Sequence, residues 1–348
     1  MNKVRAIVVD DSALMRQLLT KALAEGGEIE IVATATDPLD AREKIKQFNP
    51  DVITLDIEMP KMDGLEFLEK IMRLRPMPVV MISTLTGQGA DSTMRALELG
   101  AVDFHLKPDG ASDFEAQAAE IREKVKAAAR SRPRASRAPA RAPKTTVILP
   151  SARYRPQAHL LAIGSSTGGV EALHTILARF PANCPPTVIT QHMPEHFTKA
   201  FAERLDGKIG PHVAEATEGA VVAVGTVLIA PGGSRHLEVA QAGTQWRCRL
   251  VEGPLHSGHR PSVDRLFNSV AEVAGPRAIG VILTGMGADG AAGLKLLRDR
   301  GGRTVGQSEA SCIVYGMPRV AKEKGAVENE LPLDQIAEAI IRLCEHSS

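Results

Sequence analysis

The sequence predicts an α/β protein built from two doubly wound domains, and three observations carry this. The 348-residue chain is long enough for two separate cores. Short apolar runs alternate with helical patterns on both sides of its middle. Between them, residues 129–156 shift to Ala, Pro and Arg, as in Arg132-Pro133-Arg134-Ala135-Ser136-Arg137-Ala138-Pro139. That stretch has few large apolar side chains to offset chain entropy. It reads as an extended linker between residues 1–128 and 157–348.

In the first part, strand-like runs at 4–9, 29–33, 52–55, 79–82 and 103–106 alternate with helical patterns at 13–24, 40–47, 64–74, 90–99 and 112–129. Five such units make one parallel sheet covered by helices on both faces. The loops after its strands open at one edge. Asp10 and Asp11 follow the first run, Asp56 the third, Ser83-Thr84 the fourth and Lys107-Pro108 the fifth. Three carboxylates, one or two hydroxyls and an ammonium therefore share a pocket. Carboxylate oxygens suit a hard cation such as Mg²⁺. Its charge would let one carboxylate act as a nucleophile toward phosphorus, with Lys107 pairing the phosphoryl group and Ser83 donating to it. Helix capping accounts for a single Asp at a strand end, Asp11 for instance, but not for the whole set.

In the second part, apolar runs at 159–163, 187–190 and 278–283 read as buried parallel strands. They end in Gly164-Ser165-Ser166-Thr167-Gly168-Gly169, Gln191-His192-Met193-Pro194 and Thr284-Gly285-Met286-Gly287-Ala288-Asp289-Gly290. Helical patterns fill 169–179, 194–205, 263–274, 291–300, 318–324 and 333–344. The runs 224–231, 235–239 and 245–251 have no helix between them. They predict an antiparallel hairpin region, turning near Ala242-Gly243, beside a mostly parallel Rossmann-like sheet.

Loops at the C-terminal edge of such a sheet converge, so Ser166, His192 and Asp289 can meet. A serine hydroxyl needs a base beside it and a carboxylate to orient the base. Gly164–Gly168 fits G-x-S-x-G, a turn that exposes a serine. The same string resembles a phosphate loop, yet it has neither GxGxxG nor a Walker lysine. His196, His236, His256 and His259 are rivals to His192, but none follows so clean an apolar run. Asp289 has a bland alternative role as N-cap of the helix at 291–300. Backbone N–H groups near Met286 and in the Ser166 turn are candidates for an oxyanion hole. The order Ser, His, Asp differs from the α/β-hydrolase order Ser, Asp, His, so the motif does not imply that fold.

Bulk properties exclude several classes. Aromatic content of 3% argues against stacking platforms for single-stranded nucleic acid. Ten basic and no acidic residues lie from Lys124 to Val170, leaving 32 basic against 41 acidic residues elsewhere. A basic tether thus joins two mildly acidic parts. Cys184, Cys248, Cys312 and Cys344 form no CxxC pair and read as reduced core thiols. No signal peptide and no spanning stretch is legible, so a cytoplasmic protein without membrane insertion is expected.

Residues 1 to about 125 resemble a two-component receiver domain of flavodoxin-like fold. The matching pieces are Val8-Val9-Asp10-Asp11-Ser12, Leu55-Asp56-Ile57-Glu58-Met59-Pro60, Asp63-Gly64, Ser83-Thr84 and Lys107-Pro108. The resemblance implies phosphorylation of Asp56 by a chemotaxis histidine kinase. It implies Mg²⁺ held by Asp10, Asp11, Asp56 and the Glu58 main chain, and a switch made by Ser83, Phe104 and Lys107. Phe104 stands where tyrosine is common, so no ring hydroxyl takes part. Residues from about 157 to 345 resemble the catalytic domain of chemotaxis protein-glutamate methylesterases, through the three strand-end blocks and through Ile229-Ala230-Pro231-Gly232, His259-Arg260-Pro261-Ser262-Val263-Asp264 and 309–318. This implies hydrolysis of glutamyl methyl esters, with deamidation of glutamines, on the cytoplasmic helices of methyl-accepting chemotaxis receptors. Ser166, His192 and Asp289 would be the triad. Thr167, Gln191 and Met286 would shape the oxyanion site, and the hydrolase would need no cofactor. A receiver partly covering the catalytic cleft is also implied. Two other readings are a DNA-binding output domain and an inactive receptor-binding scaffold. The second half is acidic, rich in βα alternation and has no evident helix-turn-helix, which disfavours the first. Only activity separates the second.

Overall fold

The computed structural model describes residues 3–59, 62–83, 87–107, 111–131 and 147–345. Pro60, Thr84, Pro108 and the centre of the Ala/Pro/Arg-rich segment lie outside them. The chain divides into two compact units, Met1–Arg141 and Ala142–Ser348.

The first unit runs β1 (Val4–Val9), α1 (Ala13–Ala24), β2 (Ile29–Ala35), α2 (Pro38–Phe48), β3 (Val52–Asp56), α3 (Gly64–Leu74), β4 (Val79–Ser83), α4 (Gly87–Glu98), β5 (Asp103–Leu106) and α5 (Ala111–Arg130). All strands are parallel, in the order β2-β1-β3-β4-β5. The order reverses beside β1, so the crevice for a ligand lies between the ends of β1 and β3. Residues 6–9 of β1 and 52–55 of β3 are buried and mostly apolar up to that edge, where Asp10 and Asp56 are buried too. Asp63 caps α3 by accepting the Leu65 N–H at 2.6 Å. Gly64 must follow it, because a Cβ there would lie 2.0 Å from the Asp56 carbonyl oxygen.

The second unit runs β6 (Leu160–Ser165), α6 (Gly169–Leu177), β7 (Thr187–Gln191), α7 (Phe197–Asp206), β8 (His212–Glu215), β9 (Thr226–Ile229), β10 (Arg235–Ala242), β11 (Gln245–Glu252), α8 (Val263–Ala274), β12 (Ala278–Ile282), α9 (Ala291–Asp299), β13 (Arg303–Gln307), α10 (Met317–Glu323), β14 (Asn329–Leu331) and α11 (Leu333–Leu343). Seven strands form a parallel sheet ordered β14-β13-β12-β6-β7-β9-β8. Its order reverses at β6, with β12 on one side and β7 on the other.

Two expectations need correction. The three-run hairpin region is only β10 paired antiparallel with β11, while β9 joins the parallel sheet beside β7. The 229–232 block therefore ends a sheet strand. Leu237, Val239, Trp246 and Cys248 of the ribbon share a core with Leu266, Phe267 and Val270 of α8. The second correction concerns the linker, expected over 129–156. Helix α5 runs to Arg130, and residues 148–155 are held to the second unit. Ile148 N–H donates to Arg179 O at 2.9 Å and Arg155 N–H to Cys344 O at 2.8 Å. The Tyr154 ring is buried, with its hydroxyl donating to Asn183 O at 3.1 Å. One buried aromatic ring with its hydroxyl bond and two backbone bonds outweigh the local polar composition.

Candidate active site

In the first unit, Lys107 Nζ lies 2.6 Å from Asp56 Oδ2 and 3.3 Å from Asp10 Oδ2. Glu58 N–H donates to Asp56 Oδ1 at 3.2 Å, and Ser12 N–H to Asp10 Oδ1 at 2.9 Å. Burial, with the Asp10 charge adding to it, pushes the Asp56 carboxyl up to about 6 against the opposing Lys107 contact. Burial likewise raises Asp10. Carboxylate oxygens of Asp10, Asp11 and Asp56 lie within 4.8 Å of one another, and Asp10 Oδ2 is buried without a hydrogen-bond partner. One lysine leaves this cluster short of positive charge, so the donor set fits a hard divalent cation. Arg16 was missed by sequence reasoning. Its guanidinium donates to the Asp10 and Asp11 carbonyls at 2.8 and 2.9 Å and so fixes the loop between β1 and α1. Ser83 is buried, but Thr93 of α4 donates to its Oγ at 2.7 Å. Phe104 is buried beneath the Lys124 ammonium, 5.7 Å from the ring centroid.

In the second unit, β6, β7 and β12 deliver Ser166, His192 and the loop to Asp289 at the topological switch point. His192 Nε2 lies 2.8 Å from Asp289 Oδ2. The carboxylate only accepts, so Nε2 carries the proton and Nδ1 has the free lone pair. Nδ1 is buried and without a hydrogen-bond partner. Asp289 does not cap its own helix: the N-cap of α9 is Gly290. Its carboxylate instead accepts N–H groups from the start of α8, Val263 at 2.7 Å and Asp264 at 3.1 Å. Burial alone would raise Asp289. The His192 contact and these backbone donors outweigh it and hold the carboxyl below its usual range. The rival His259 lies face-on against His192, ring centroids 3.8 Å apart and planes 12° from parallel.

Ser166 is partly exposed, and its hydroxyl makes no hydrogen bond to His192. Its loop is nonetheless tightly tied. Ser166 N–H donates to Thr284 O at 3.0 Å, which removes it as an oxyanion donor. Gln191 is also spoken for. Its Oε1 accepts from Ser165 Oγ at 2.6 Å, and its Nε2 donates to the carbonyls of Ser166 and His192 at 3.0 and 3.1 Å. Gln191 thus clamps the Ser166 loop to the His192 loop. Thr167 is buried and its carbonyl accepts from Thr284 Oγ1 at 3.0 Å. The Met286 N–H has no acceptor among the described residues. Gly285 lets that loop reach the serine, since a Cβ there would lie 2.8 Å from Ser166 Cβ.

A family model for the CheB methylesterase matches residues 161–340, and one for the response regulator receiver domain matches residues 6–119. The chain belongs to the CheB methylesterase family. One CheB relative, from Caulobacter vibrioides, is named protein-glutamate methylesterase/protein-glutamine glutaminase 1. It is 57% identical over 345 residues, covering 99% of this chain and 98% of its own. A protein-glutamate methylesterase/protein-glutamine glutaminase of Agrobacterium fabrum is 57% identical over 344 residues, covering 97% and 96%. The crystal structure of the Thermotoga maritima CheB methylesterase catalytic domain matches with a TM-score of 0.52 and 38% identity, over 53% of this chain and 98% of that one. Among the described residues no helix is long and apolar enough to cross a membrane.

Proposed function

We propose that this chain is a phosphorylation-regulated protein-glutamate methylesterase and protein-glutamine glutaminase. Its substrates are side chains on the cytoplasmic helices of methyl-accepting chemotaxis receptors. The observation that carries this is the His192–Asp289 hydrogen bond, on a loop that Gln191 ties to the Ser166 loop, in a chain 57% identical to such an esterase over 99% of its length.

Ser166 Oγ passes its proton to His192 Nδ1 and attacks the side-chain carbonyl carbon. Asp289 stabilises the imidazolium that results. The Met286 N–H, which has no acceptor among the described residues, donates to the oxyanion, with Thr167 and Gln191 holding the walls around it. Collapse expels methoxide, protonated by His192, as methanol; from glutamine the leaving group is ammonia. Water then gives a proton to His192 and its oxygen to the acyl carbon. Ser166 recovers its proton and the glutamate carboxylate leaves. The Ser166 hydroxyl closes on Nδ1 when substrate fills the cleft, as such contacts tighten in the reacting complex. These steps use only side chains and water.

In the receiver, Asp10, Asp11, Asp56 and the Glu58 main chain would hold Mg²⁺, which supplies charge neutralisation for phosphoryl transfer. Asp56 takes the phosphoryl group from a chemotaxis histidine kinase in the cytoplasm. Lys107 then pairs with that group. Ser83 leaves Thr93 to donate to it, and Phe104 moves with Ser83. The experiment is methanol release from a methylated receptor fragment. The wild-type chain is expected to release it and Ser166→Ala to lose at least about 10⁴-fold in kcat. Absence of methanol from the wild type, or an active Ser166→Ala, overturns the reading. Retention on DNA instead would favour the output-domain alternative.

A further inference from the structure

Asp289 is held by more than His192. Ser262 Oγ donates to its Oδ1 at 2.8 Å. Ser262 is also the N-cap of α8, its oxygen accepting the Arg265 N–H at 3.4 Å. The N–H of Ser262 donates in turn to His236 Nδ1 at 3.2 Å, and His236 Nε2 lies 2.9 Å from the Pro254 carbonyl oxygen. Those two partners define the histidine. A carbonyl only accepts, so Nε2 carries hydrogen; an N–H only donates, so Nδ1 keeps its lone pair. His236 is neutral, and a second proton would turn a donor against the Ser262 N–H. The ring is wholly buried on β10. Burial first, and then Arg265 on α8 with Arg260 and His256 on the loop before it, hold its pKa below the usual imidazole value against the Pro254 bond. Glu238, on the same face of β10, is paired with Arg249 and Arg265.

We propose that Ser262 and neutral His236 are positioning residues for the triad carboxylate. They form a relay from the β10–β11 ribbon through the start of α8 to Asp289, and so to His192. The proposal rests on the esterase reading above. Without the Ser262 hydroxyl, Asp289 loses one of its hydrogen-bond donors. Its negative charge is then less dispersed and holds the His192 imidazolium more strongly, so the acid limb of the pH–rate profile moves to higher pH.

The test uses the full-length chain with Ser262→Gly, because Gly at an N-cap keeps most of the helix stability. We expect kcat to fall about tenfold or more with KM little changed, and the acid limb of kcat/KM to move upward. The downfield proton resonance of His192 Nε2–H should shift as well. His236→Gln, which keeps a donor for Pro254 but loses the ring acceptor, is expected to move all three in the same direction by less. It stands as the second variant if Ser262→Gly does not fold. A loss of kcat with an unmoved acid limb and an unmoved Nε2–H resonance makes Ser262 a helix cap alone and overturns the proposal. A wild-type chain that releases no methanol refutes the esterase reading instead. The resonance still decides the relay in that case, since it needs no turnover.

Discussion

His192 is fixed from two directions, by Asp289 at its edge and by His259 on its face. The edge contact chooses the tautomer and leaves the Nδ1 lone pair free. The face contact limits rotation of the ring. A stacked aromatic pair contributes about 0.5–1.5 kcal/mol. His259→Ala is therefore expected to lower kcat by about two- to tenfold, read as methanol release at saturating substrate. An unchanged kcat would mean that Asp289 alone orients the base. The cysteines behave differently. Cys184, Cys248 and Cys344 are buried, and burial pushes all four thiols up to about 12, so they are inert packing groups.

At the scale of single elements, β5 carries a pH dependence of its own. Alternation along the strand places Phe104 and His105 on opposite faces, and both are buried. Burial, with the Lys124 charge adding to it, lowers His105 to about 4, against Glu120 and a Gln117 hydrogen bond. The folded ring stays neutral while the unfolded chain takes up a proton below its usual pKa of about 6.5. This part of the receiver's stability is therefore complete above about 6.5 and is lost as pH falls toward 4, by an upper bound of about 3 kcal/mol. Asp56 works in the opposite sense, since its raised carboxyl binds a proton in the folded state first and stabilises on acidification. The wild-type profile mixes the two; comparison with His105→Leu separates them. That variant should lose less stability than wild type between pH 6.5 and 4, measured by urea denaturation followed by circular dichroism. Parallel profiles would show that the ring is charged when folded.

At the scale of the whole molecule, two predictions concern the units. Residues 148–155 are packed on the second unit, so a fragment beginning at Val147 is expected to melt higher than one beginning at Gln157. The difference should be about 1.5–3 kcal/mol, the contribution of one large buried side chain such as Tyr154. Equal melting temperatures would mean that the strap adds nothing. Regulation provides the other prediction. Mg²⁺ with a small phosphodonor should activate the full-length chain, while Asp56→Asn or chelation of the metal should abolish that activation and leave basal turnover. If the unphosphorylated receiver restrains the hydrolase, as the resemblance implies, the Val147 fragment is also faster than the unphosphorylated whole. A differential of about 1.4 kcal/mol between two states suffices for a tenfold change. Activation that survives in Asp56→Asn would place the phosphoryl effect elsewhere.

The sequence by itself determined the α/β class, most strands and helices, and which loops carry Asp56, Ser166, His192 and Asp289. Those follow from hydrophobic period and from Gly, Pro and Asp at strand ends, and both are local properties. The strands β8, β13 and β14 were not legible, because they are short and Arg303–Gln307 and Asn329–Leu331 carry few apolar residues. Placing β9 in the parallel sheet likewise depended on which partner buried it, not on its own pattern. Only the tertiary structure decided what each polar group touches. It turned Asp289 from a cap on its own helix into an acceptor for the first turn of α8, committed Gln191 to two carbonyls, spent the Ser166 N–H on Thr284, and set His259 against His192. Apart from the Gln191 bond to its neighbour His192, these partners lie between 25 and 118 residues apart along the chain, so no local pattern records their pairing. A buried donor or acceptor must find a partner, and the packed fold alone determines which one is within reach.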